Sequence, residues 1–475
     1  MNGRDRISWS ADEIRRISHR VADQVADHLI SVPDGPVYRR PPRELIETMR
    51  ATPWAEQGAT ADDVLDQFAA QIEPYPFGNG HPRFAAWVNS PPNPLGVFAS
   101  ALAAAMDPSV AGGEHASVHL EHQVLRWFAE LLGWPSGYSG QLVSGGSAAT
   151  LTALAAARHR AAAGAGLDDR RDGTPDRFAV YAGAEAHSCI TKAVEVLGIG
   201  SANIRVVDSD GTRRICPDHL DALISADLVD GRIPVVAVAS VGTVNTGAID
   251  PLSEIADVCA HHGVWMHVDA AYGGPAVLLL ERYRDVLAGL SRADSLAVDP
   301  HKWLYVPVDA GLVLVRDGSV ARDTFSLVPP YLRTEGDAPW FTEFGLEQTR
   351  PFRALKVSMQ LRHLGRRGYR ELIERDLAVA EQLRDAVAAA PDLELLGSGM
   401  SIVCFRHRPG GMASDELDEH NRAVLNAVQL GGRSFLAGTV VDGVFALRAC
   451  IVNPLTSSAD ALAIIDDVRA RGAVA

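Results

Sequence analysis

The chain has 475 residues and a formal net charge of −15, with 47% hydrophobic and 22% charged residues. That is the balance of a globular protein able to bury a large core, and the length corresponds to roughly two to four domains. The acidic charge argues against a nucleic-acid partner, because binding phosphate needs a basic face. The N-terminus lacks the apolar segment of a signal peptide, and no apolar stretch is long enough to cross a bilayer. The five cysteines are scattered and form no C-x-x-C pair, so we expect reduced thiols in a cytoplasmic protein.

The first part of the chain predicts a helix followed by an extended arm. Residues 9–31 carry apolar side chains at roughly helical spacing, with Ser10 in the position of an N-cap. Residues 33–95 are rich in proline and glycine and contain two shorter helical patterns. Because such a segment cannot form a core of its own, we expect an N-terminal arm, residues 1–91, that packs on a second subunit.

From about residue 95 to 320, short apolar runs alternate with helical stretches. This alternation predicts an α/β fold with a mainly parallel sheet and helices on both faces. The runs that predict strands are 178–181, 235–240, 264–268 and 311–315, and helices are predicted at 188–197 and 252–262. A long helical pattern (352–390), strand-like pieces (401–406 and 444–452) and a last helix from Ser458 predict a smaller α+β domain. We therefore divide the rest of the chain into a large domain, residues 92–356, and a small domain, residues 357–475.

A glycine turn joins a predicted strand to a long helix in the segment LVSGGSAAT, residues 142–150. This arrangement places Gly146 and Ser147 at a helix N-terminus, where free backbone amides and the helix dipole favour a phosphate group. The segment is neither a Walker A loop nor a G-x-G-x-x-G sequence. Taken alone, a simple glycine-rich turn with a serine cap is the more frequent explanation.

Asp269 stands at the end of a predicted strand in the segment WMHVDAAYGG, residues 265–274. The carboxyl end of a parallel strand is the usual position for ligand-binding residues. This carboxylate is suited to face a cationic ring nitrogen, and Ala271 with the following glycines leaves room for a flat ring. The alternative, an aspartate that caps the next turn, is equally compatible with these residues alone.

Lys302 lies within a largely apolar segment, between His301 and Trp303. Burying a charged lysine is costly, and a Schiff base removes that cost while giving the lysine a chemical purpose. For a lone lysine, however, a side chain that extends to solvent is the commoner case. His187 stands at the start of a predicted helix, and a lone histidine is more often structural than catalytic. Together these segments provide a phosphate cradle, an anion, a flat floor and an imine-forming amine, which are the parts needed to hold pyridoxal phosphate.

The same segments resemble the group II pyridoxal-phosphate decarboxylases, and aromatic-L-amino-acid decarboxylases most of all. The similarity runs in family order from about residue 81 to 455, and HVDAAYGG with DPHKWL is its most specific part. The motifs that carry it are HPRF (81–84), SGGS-x-x-TL (144–151), AHS (186–188), GT-x-x-TGAIDP (242–251), HVDAAYGG (267–274), DPHKWL (299–304), RALK (353–356) and LRACIVNP (447–454).

The resemblance implies an aspartate-aminotransferase-like (fold type I) enzyme with a seven-stranded sheet, working as a homodimer with shared active sites. It implies that Lys302 forms the imine with the cofactor, that Asp269 pairs with the pyridine nitrogen, and that Ala271 and His187 flank the ring. It also implies that Gly146, Ser147, Thr243 and His301 contribute to cofactor binding. Tyr331 matches a tyrosine on a mobile loop, which would protonate the substrate Cα together with His187.

The substrate is the least determined part of the prediction. Trp87 can stack on an aromatic side chain, and His115 lies on a loop that the resemblance assigns to the partner's site. The favoured reaction is decarboxylation of an aromatic L-amino acid to its amine and carbon dioxide. An aliphatic or acidic amino acid remains open, as does an oxidative decarboxylase that releases an aldehyde, against which Tyr331 argues. A catalytically silent relative is disfavoured by the intact catalytic set. Departures from the family pattern stand at Ala148, Val244 and Ser358.

Overall fold

The computed structural model describes residues 8–327 and 340–474. Its helices are α1 Ala11–Ser31, α2 Arg43–Ala51, α3 Ala61–Gln71, α4 Pro94–Met106, α5 Ala116–Leu132, α6 Gly146–Gly164, α7 Asp169–Asp172, α8 Cys189–Val196, α9 Pro217–Val229, α10 Leu252–His262, α11 Gly274–Leu279, α12 Arg284–Leu290, α13 Gly318–Phe325, α14 Arg353–Ala389, α15 Leu417–Gly431 and α16 Ser458–Gly472. Its strands are β1 Ser139–Val143, β2 Phe178–Gly183, β3 Ile204–Val207, β4 Ile233–Ser240, β5 Trp265–Asp269, β6 Ser295–Val298, β7 Gly311–Val315, β8 Leu393–Gly399, β9 Ile402–His407, β10 Ala437–Val441 and β11 Val444–Cys450.

The larger sheet has seven strands in the order β1-β7-β6-β5-β4-β2-β3. Strands β3, β2, β4, β5 and β6 pair in parallel, and β7 is antiparallel to both of its neighbours, β6 and β1. Six of the seven strands therefore point the same way. The predicted mainly parallel sheet is confirmed.

Helices cover both faces of this sheet because its strands are apolar on both sides. Successive residues along a strand point to opposite faces, so Phe178 and Val180 of β2 enter one core cluster while Ala179 and Tyr181 enter the other. A second sheet, antiparallel and ordered β10-β11-β9-β8, packs with α15 and α16 to form the smaller α+β part at the C-terminal end. This part was also expected from the sequence.

Helix α14 is the longest helix that the structure describes, and it bends once. Gly365 has φ 62° and ψ 172°, a backbone conformation that favours glycine and interrupts the helix. Before the bend, Gln360 lies against Gly96 of α4, whereas the residues after the bend from Val379 to Val387 share a core cluster with residues of β9 and α16. The bend thus lets one helix contact both parts of the fold.

The N-terminal helix α1 begins where the sequence predicts, with the Ser10 side chain accepting a hydrogen bond from the Glu13 amide. Its guanidinium groups reach α3, where Arg16 pairs with Asp62 at 2.8 Å. Within the described residues, no helix is both long and apolar enough to cross a membrane.

Candidate active site

The site lies along one edge of the larger sheet, where the parallel strands end. His187 follows β2, Asp269 is the last residue of β5, and Lys302 lies four residues after the end of β6. Strand β1 points the same way and ends at Val143, directly before the glycine turn. Because the carboxyl ends of parallel strands meet at one edge, residues far apart in the sequence come together here.

A cavity of 550 Å³ occupies this edge. It brings together most of the residues that the sequence singled out. The predicted site residues that line it are Trp87, Gly146, Ser147, His187, Asp269, Ala271, His301 and Lys302. Two others stand apart: His115 precedes α5, and Thr243 is buried behind the wall of the cavity. Tyr331 lies outside the described residues.

The glycine turn is packed so closely that an added side chain would press on its neighbours. A Cβ on Gly146 would lie 3.0 Å from Asp299 Oδ2 and 3.2 Å from Ala271 Cβ, and one on Gly145 would lie 3.2 Å from His301 Cε1. No side chain caps the N-terminus of α6, which starts at this turn. The amides of the first turn are therefore available to an anion, as the sequence pattern predicts.

Lys302 is held beside a carboxylate that the sequence pattern did not single out. Its Nζ lies 3.0 Å from Asp299 Oδ2, and its side chain is 24% exposed to the cavity. Burial lowers the pKa of Lys302, but the carboxylates of Asp299 and Asp269 outweigh that effect and raise the pKa above its ordinary value. The amine is therefore held as an ammonium when nothing is bonded to it.

Asp269 and Ala271 lie in the turn that follows β5. The Ala271 amide donates to Asp269 Oδ1 at 3.1 Å, which fixes the carboxylate at the end of the strand. Ala271 is buried, and its methyl group lies under the glycine turn. This segment supplies a fixed negative charge beside a small, flat surface.

The two histidines of the cavity have defined tautomers. The amide of Cys189 donates to His187 Nδ1 at 3.1 Å, and the amide of Ala310 donates to His301 Nδ1 at 3.2 Å. In the neutral ring, each histidine therefore carries its proton on Nε2. Burial lowers the pKa of both rings; the Asp269 and Asp299 carboxylates oppose the change at His187, and the Asp299 and Asp309 carboxylates oppose it at His301. Both rings are consequently neutral donors at physiological pH.

Thr243 has a local structural contact in place of a position on the cavity wall. Its Oγ1 accepts from the Ala248 amide at 3.0 Å and lies 3.3 Å from Thr246 Oγ1. The next two residues, Val244 and Asn245, reach the cavity. The contact between Thr243 and the cofactor therefore stays a prediction.

Sequence reasoning missed two charged residues of the cavity. Asp299 is buried, and its Oδ1 has no hydrogen-bond partner among the described residues. Arg448 on β11 is also buried: its Nε donates to the Val244 carbonyl at 2.9 Å and its Nη1 to the Trp87 carbonyl at 2.9 Å, while Nη2 is unpartnered in the described part of the chain. The sequence carried one signal for each, an aspartate three residues before the lysine and an arginine within an apolar strand.

These features fit pyridoxal phosphate. The uncapped N-terminus of α6 suits a phosphate group, Asp269 suits a protonated ring nitrogen, and Ala271 leaves space for a planar ring. The unpaired polar atoms of Asp299 and Arg448 indicate that the cavity is built for a polar occupant, because buried polar groups are normally paired.

Comparison with known proteins agrees with the geometry. Residues 47–408 match the family model for the pyridoxal-dependent decarboxylase conserved domain. The chain is 31% identical to an aromatic-L-amino-acid decarboxylase of Bacillus atrophaeus, covering 98% of this chain and 97% of that protein. It is 29% identical to a phenylacetaldehyde synthase of Arabidopsis thaliana, covering 94% of this chain and 93% of that one.

The fold is shared over the whole length with a solved structure, that of Oryza sativa TDC with PLP and tryptamine. The two have a TM-score of 0.91 and 28% sequence identity, and the match covers 98% of each chain. The fold expected from the resemblance is therefore confirmed, and so is pyridoxal phosphate as the cofactor. The chain belongs to the pyridoxal-dependent decarboxylase family and is a pyridoxal-phosphate-dependent amino acid decarboxylase.

Proposed function

We propose that the enzyme removes the carboxyl group of an aromatic L-amino acid and releases the amine and carbon dioxide. The observation that carries this proposal is Trp87 in the wall of the cavity that contains Lys302. Trp87 is 45% exposed, and its indole stacks on Phe77, with ring centroids 5.4 Å apart and planes 23° from parallel. An indole held in this way offers its free face to another aromatic ring.

In this proposal the cofactor is held by the residues that line the sheet edge. Lys302 would bond it covalently through Nζ, Asp269 would pair with its ring nitrogen, and Ala271 and His187 would face the two sides of the ring. Gly146, Ser147 and His301 would bind its phosphate. Pyridoxal phosphate, when bound, supplies the electron sink that makes loss of carbon dioxide feasible.

The protein's own part in the reaction is to orient the substrate and move protons. Trp87 would hold the aromatic side chain of the substrate so that the bond between Cα and the carboxylate can lie roughly perpendicular to the plane of the cofactor ring. Once the carboxyl group has left, Tyr331 would return a proton to the substrate Cα together with His187, whose neutral ring carries its proton on Nε2. Lys302 Nζ would then bond to the cofactor again in place of the product, which releases the amine.

Two other outcomes are favoured by specific observations. The unpaired Nη2 of Arg448 favours a substrate with an acidic side chain, because a buried guanidinium group pairs well with a carboxylate. The similarity to a phenylacetaldehyde synthase favours an oxidative reaction that consumes oxygen and releases an aldehyde. A tyrosine at position 331 argues against the oxidative reaction.

We also propose that the enzyme is a homodimer. Large apolar side chains are exposed on α1 and α4, among them Ile14, Ile30, Phe98 and Leu102. Exposed apolar surface is typical of an interface between subunits. The arm of residues 1–91 would pack on the second copy, next to a large domain (92–356) and a small one (357–475). His115 would then serve the partner's site.

The test is a substrate panel on the purified enzyme loaded with pyridoxal phosphate. Carbon dioxide, amine, aldehyde and hydrogen peroxide would be measured with aromatic, aliphatic and acidic L-amino acids. Release of carbon dioxide and amine from Trp, Tyr, Phe or dopa is the expected result. Turnover restricted to Glu, Asp, Val or Leu would overturn the aromatic substrate, and stoichiometric aldehyde and peroxide would overturn simple decarboxylation.

A further inference from the structure

The turn that carries Lys302 contacts a buried carboxyl group on a helix that comes much later in the sequence. We propose that Asp376 is a positioning residue: through Trp303 and Tyr305 it fixes the orientation of the Lys302 side chain towards the cofactor. The proposal rests on the proposed bond between Lys302 and the cofactor, and it is independent of which amino acid is the substrate.

Asp376 lies on α14, beyond the bend at Gly365, and is 1% exposed. Its Oδ2 accepts two hydrogen bonds, one from Trp303 Nε1 at 2.9 Å and one from Tyr305 Oη at 2.9 Å. These two donors come from the first and third residues after Lys302. A single buried oxygen therefore fixes the side chains that follow the lysine.

The same helix also holds the backbone of this turn. Gln360 Nε2 and Tyr369 Oη both donate to the Leu304 carbonyl, at 2.6 and 3.1 Å. Tyr305 has φ 56°, a left-handed conformation that large side chains adopt only when their surroundings impose it. The hydrogen bond from Tyr305 to Asp376 is one of the contacts that impose it.

The effect of Asp376 extends to the floor of the cavity. The indole of Trp303 stacks on Tyr272, with centroids 5.1 Å apart and planes 15° from parallel. Tyr272 directly follows Ala271, and its hydroxyl is fixed by the Ser401 amide at 2.9 Å. Through Trp303, Asp376 is thus connected both to the turn that carries Lys302 and to the segment that carries Asp269. These are the two segments proposed to bind the cofactor.

A carboxyl group is a costly choice for this position if only packing is needed. Its Oδ1 has no partner among the described residues, so the cost is offset mainly by the two bonds to Trp303 and Tyr305. Burial raises the pKa of Asp376 to about 7, while these two hydrogen bonds and the nearby Arg375 oppose the rise. Besides burial, the carboxyl of Asp376 in turn raises the pKa of Tyr305 and, more weakly, that of Cys450, which packs nearby from β11.

The experiment compares three substitutions on α14. Asp376→Ala removes the acceptor, and Asp376→Asn keeps an acceptor oxygen but cannot ionise. Asp385→Asn is the matched control, because Asp385 is exposed and pairs with the adjacent Arg384. Two properties would be measured without any amino acid present. One is the dissociation constant of pyridoxal phosphate, and the other is the pH profile of the rate at which cofactor-free protein forms the lysine–cofactor bond, trapped with borohydride.

Asp376→Ala is expected to raise the dissociation constant about tenfold, whereas Asp376→Asn stays within about threefold and Asp385→Asn matches the wild type. The rate at which the wild type forms the lysine–cofactor bond is then divided by the rate for Asp376→Asn at each pH. This ratio should change as the pH crosses about 7, where Asp376 gains or loses its proton. If Asp376→Ala loses only thermal stability, Asp376 is merely a core residue and the proposal is overturned.

Should Asp376→Ala fail to fold, Tyr305→Phe replaces it, because this change removes one donor and keeps the ring. It should weaken cofactor binding in the same direction by a smaller factor. An unchanged dissociation constant in Tyr305→Phe would overturn the proposal. A wild-type protein that forms no lysine–cofactor bond would instead overturn the role of Lys302, so the two failures are distinguishable.

Discussion

Nζ of Lys302 lies 3.0 Å from Oδ2 of Asp299, which is closer than a contact through an intervening water would allow. Asp299 is almost completely buried and stands three residues before the lysine, in a turn closed by a hydrogen bond from the Lys302 amide to the Asp299 carbonyl at 2.9 Å. The amine that is proposed to bond the cofactor therefore has its own carboxylate counterion, in addition to Asp269. This arrangement keeps the free amine charged and in place until the cofactor bond forms.

Removing the charge of Asp299 should make the lysine easier to deprotonate. The carboxylate raises the pKa of Lys302, so Asp299→Asn is expected to lower it. The pH dependence with which an acylating reagent modifies Lys302 in the cofactor-free protein, read by mass spectrometry, should move to lower pH. Asp269→Asn should shift it less, because Asp269 makes the smaller contribution, and Asp385→Asn should leave it unchanged. An unshifted profile in Asp299→Asn would mean that this pairing does not control the amine.

The glycine turn gives a prediction about phosphate. A Cβ at position 146 would press on Asp299 and Ala271, at 3.0 and 3.2 Å, so Gly146→Ala should distort the cradle and weaken binding of pyridoxal phosphate about tenfold. Binding of pyridoxal, which lacks the phosphate, should change less. Gly164→Ala, at the other end of α6, is the control, because a Cβ there meets nothing within 4 Å. Equal losses for the two ligands would argue against a phosphate site.

Trp87 gives a prediction about substrate choice. If the indole stacks on the substrate, Trp87→Leu should raise KM for the preferred aromatic amino acid about tenfold, with a smaller change in kcat. Trp54→Leu is the matched control, since Trp54 is fully exposed on the arm. Steady-state kinetics on both variants would decide the matter. A fall in kcat at constant KM would assign Trp87 to the chemical step and not to binding.

Much of the sheet edge could be predicted because its residues stand at fixed offsets from apolar strands. The sequence located β7 and α10 with the bounds that the structure has, since both have strong apolar patterns and clear ends. Strand β6 was not predicted, because four buried residues, Ser295–Val298, are too few to reveal a period. The motif that follows it nevertheless identified Lys302.

The remaining residues depend on contacts that no local pattern contains. Arg448 reaches the carbonyl groups of Val244 and Trp87, which are far away in the sequence, and Asp376 accepts from Trp303, which stands 73 residues earlier in the chain. Asp299 was visible within the DPHK segment, but its contact with Lys302 follows from a local turn and not from the residue types. Long-range pairing and turn geometry are therefore what the sequence could not supply.

A buried ion pair supports the strand that leads into the glycine turn. Arg350 Nη2 pairs with the Glu121 carboxylate and also donates to the Leu142 carbonyl on β1, and both side chains are fully buried. Glu121 in turn accepts from the Leu142 amide at 2.8 Å. Arg350→Met should leave the carboxylate buried without its partner and lower the free energy of unfolding by about 3–5 kcal/mol.

The double variant Arg350→Met, Glu121→Gln tests that explanation. It removes both charges and keeps an acceptor for the Leu142 amide, so it should recover part of the stability lost in Arg350→Met alone. Urea unfolding of the cofactor-free protein would measure the difference. A double variant less stable than Arg350→Met would show that the loss comes from packing and not from an unpaired charge.

The smaller part of the fold contains a histidine pair that predicts how stability depends on pH. His407 Nδ1 lies 2.8 Å from His420 Nε2, and both rings are buried. Burial lowers the pKa of each, and for His407 the neighbouring ring lowers it further. Unfolding returns both rings to an ordinary pKa of about 6.5, so the unfolded chain takes up protons that the folded chain refuses. The stability contributed by the neutral pair is therefore complete above that pH and is lost as the pH falls below it.

Replacing one ring by a group that does not titrate should reduce this dependence. His420→Gln is expected to flatten the fall in the thermal unfolding midpoint between neutral pH and a pH of about 5. His363→Gln, an exposed position on α14, is the control that should keep the wild-type slope. Melting curves across this range, recorded on the cofactor-loaded protein, supply the comparison. Equal slopes for wild type and His420→Gln would mean that other groups cause the acid sensitivity, because a buried pair that stays neutral in the folded state must contribute a slope of its own.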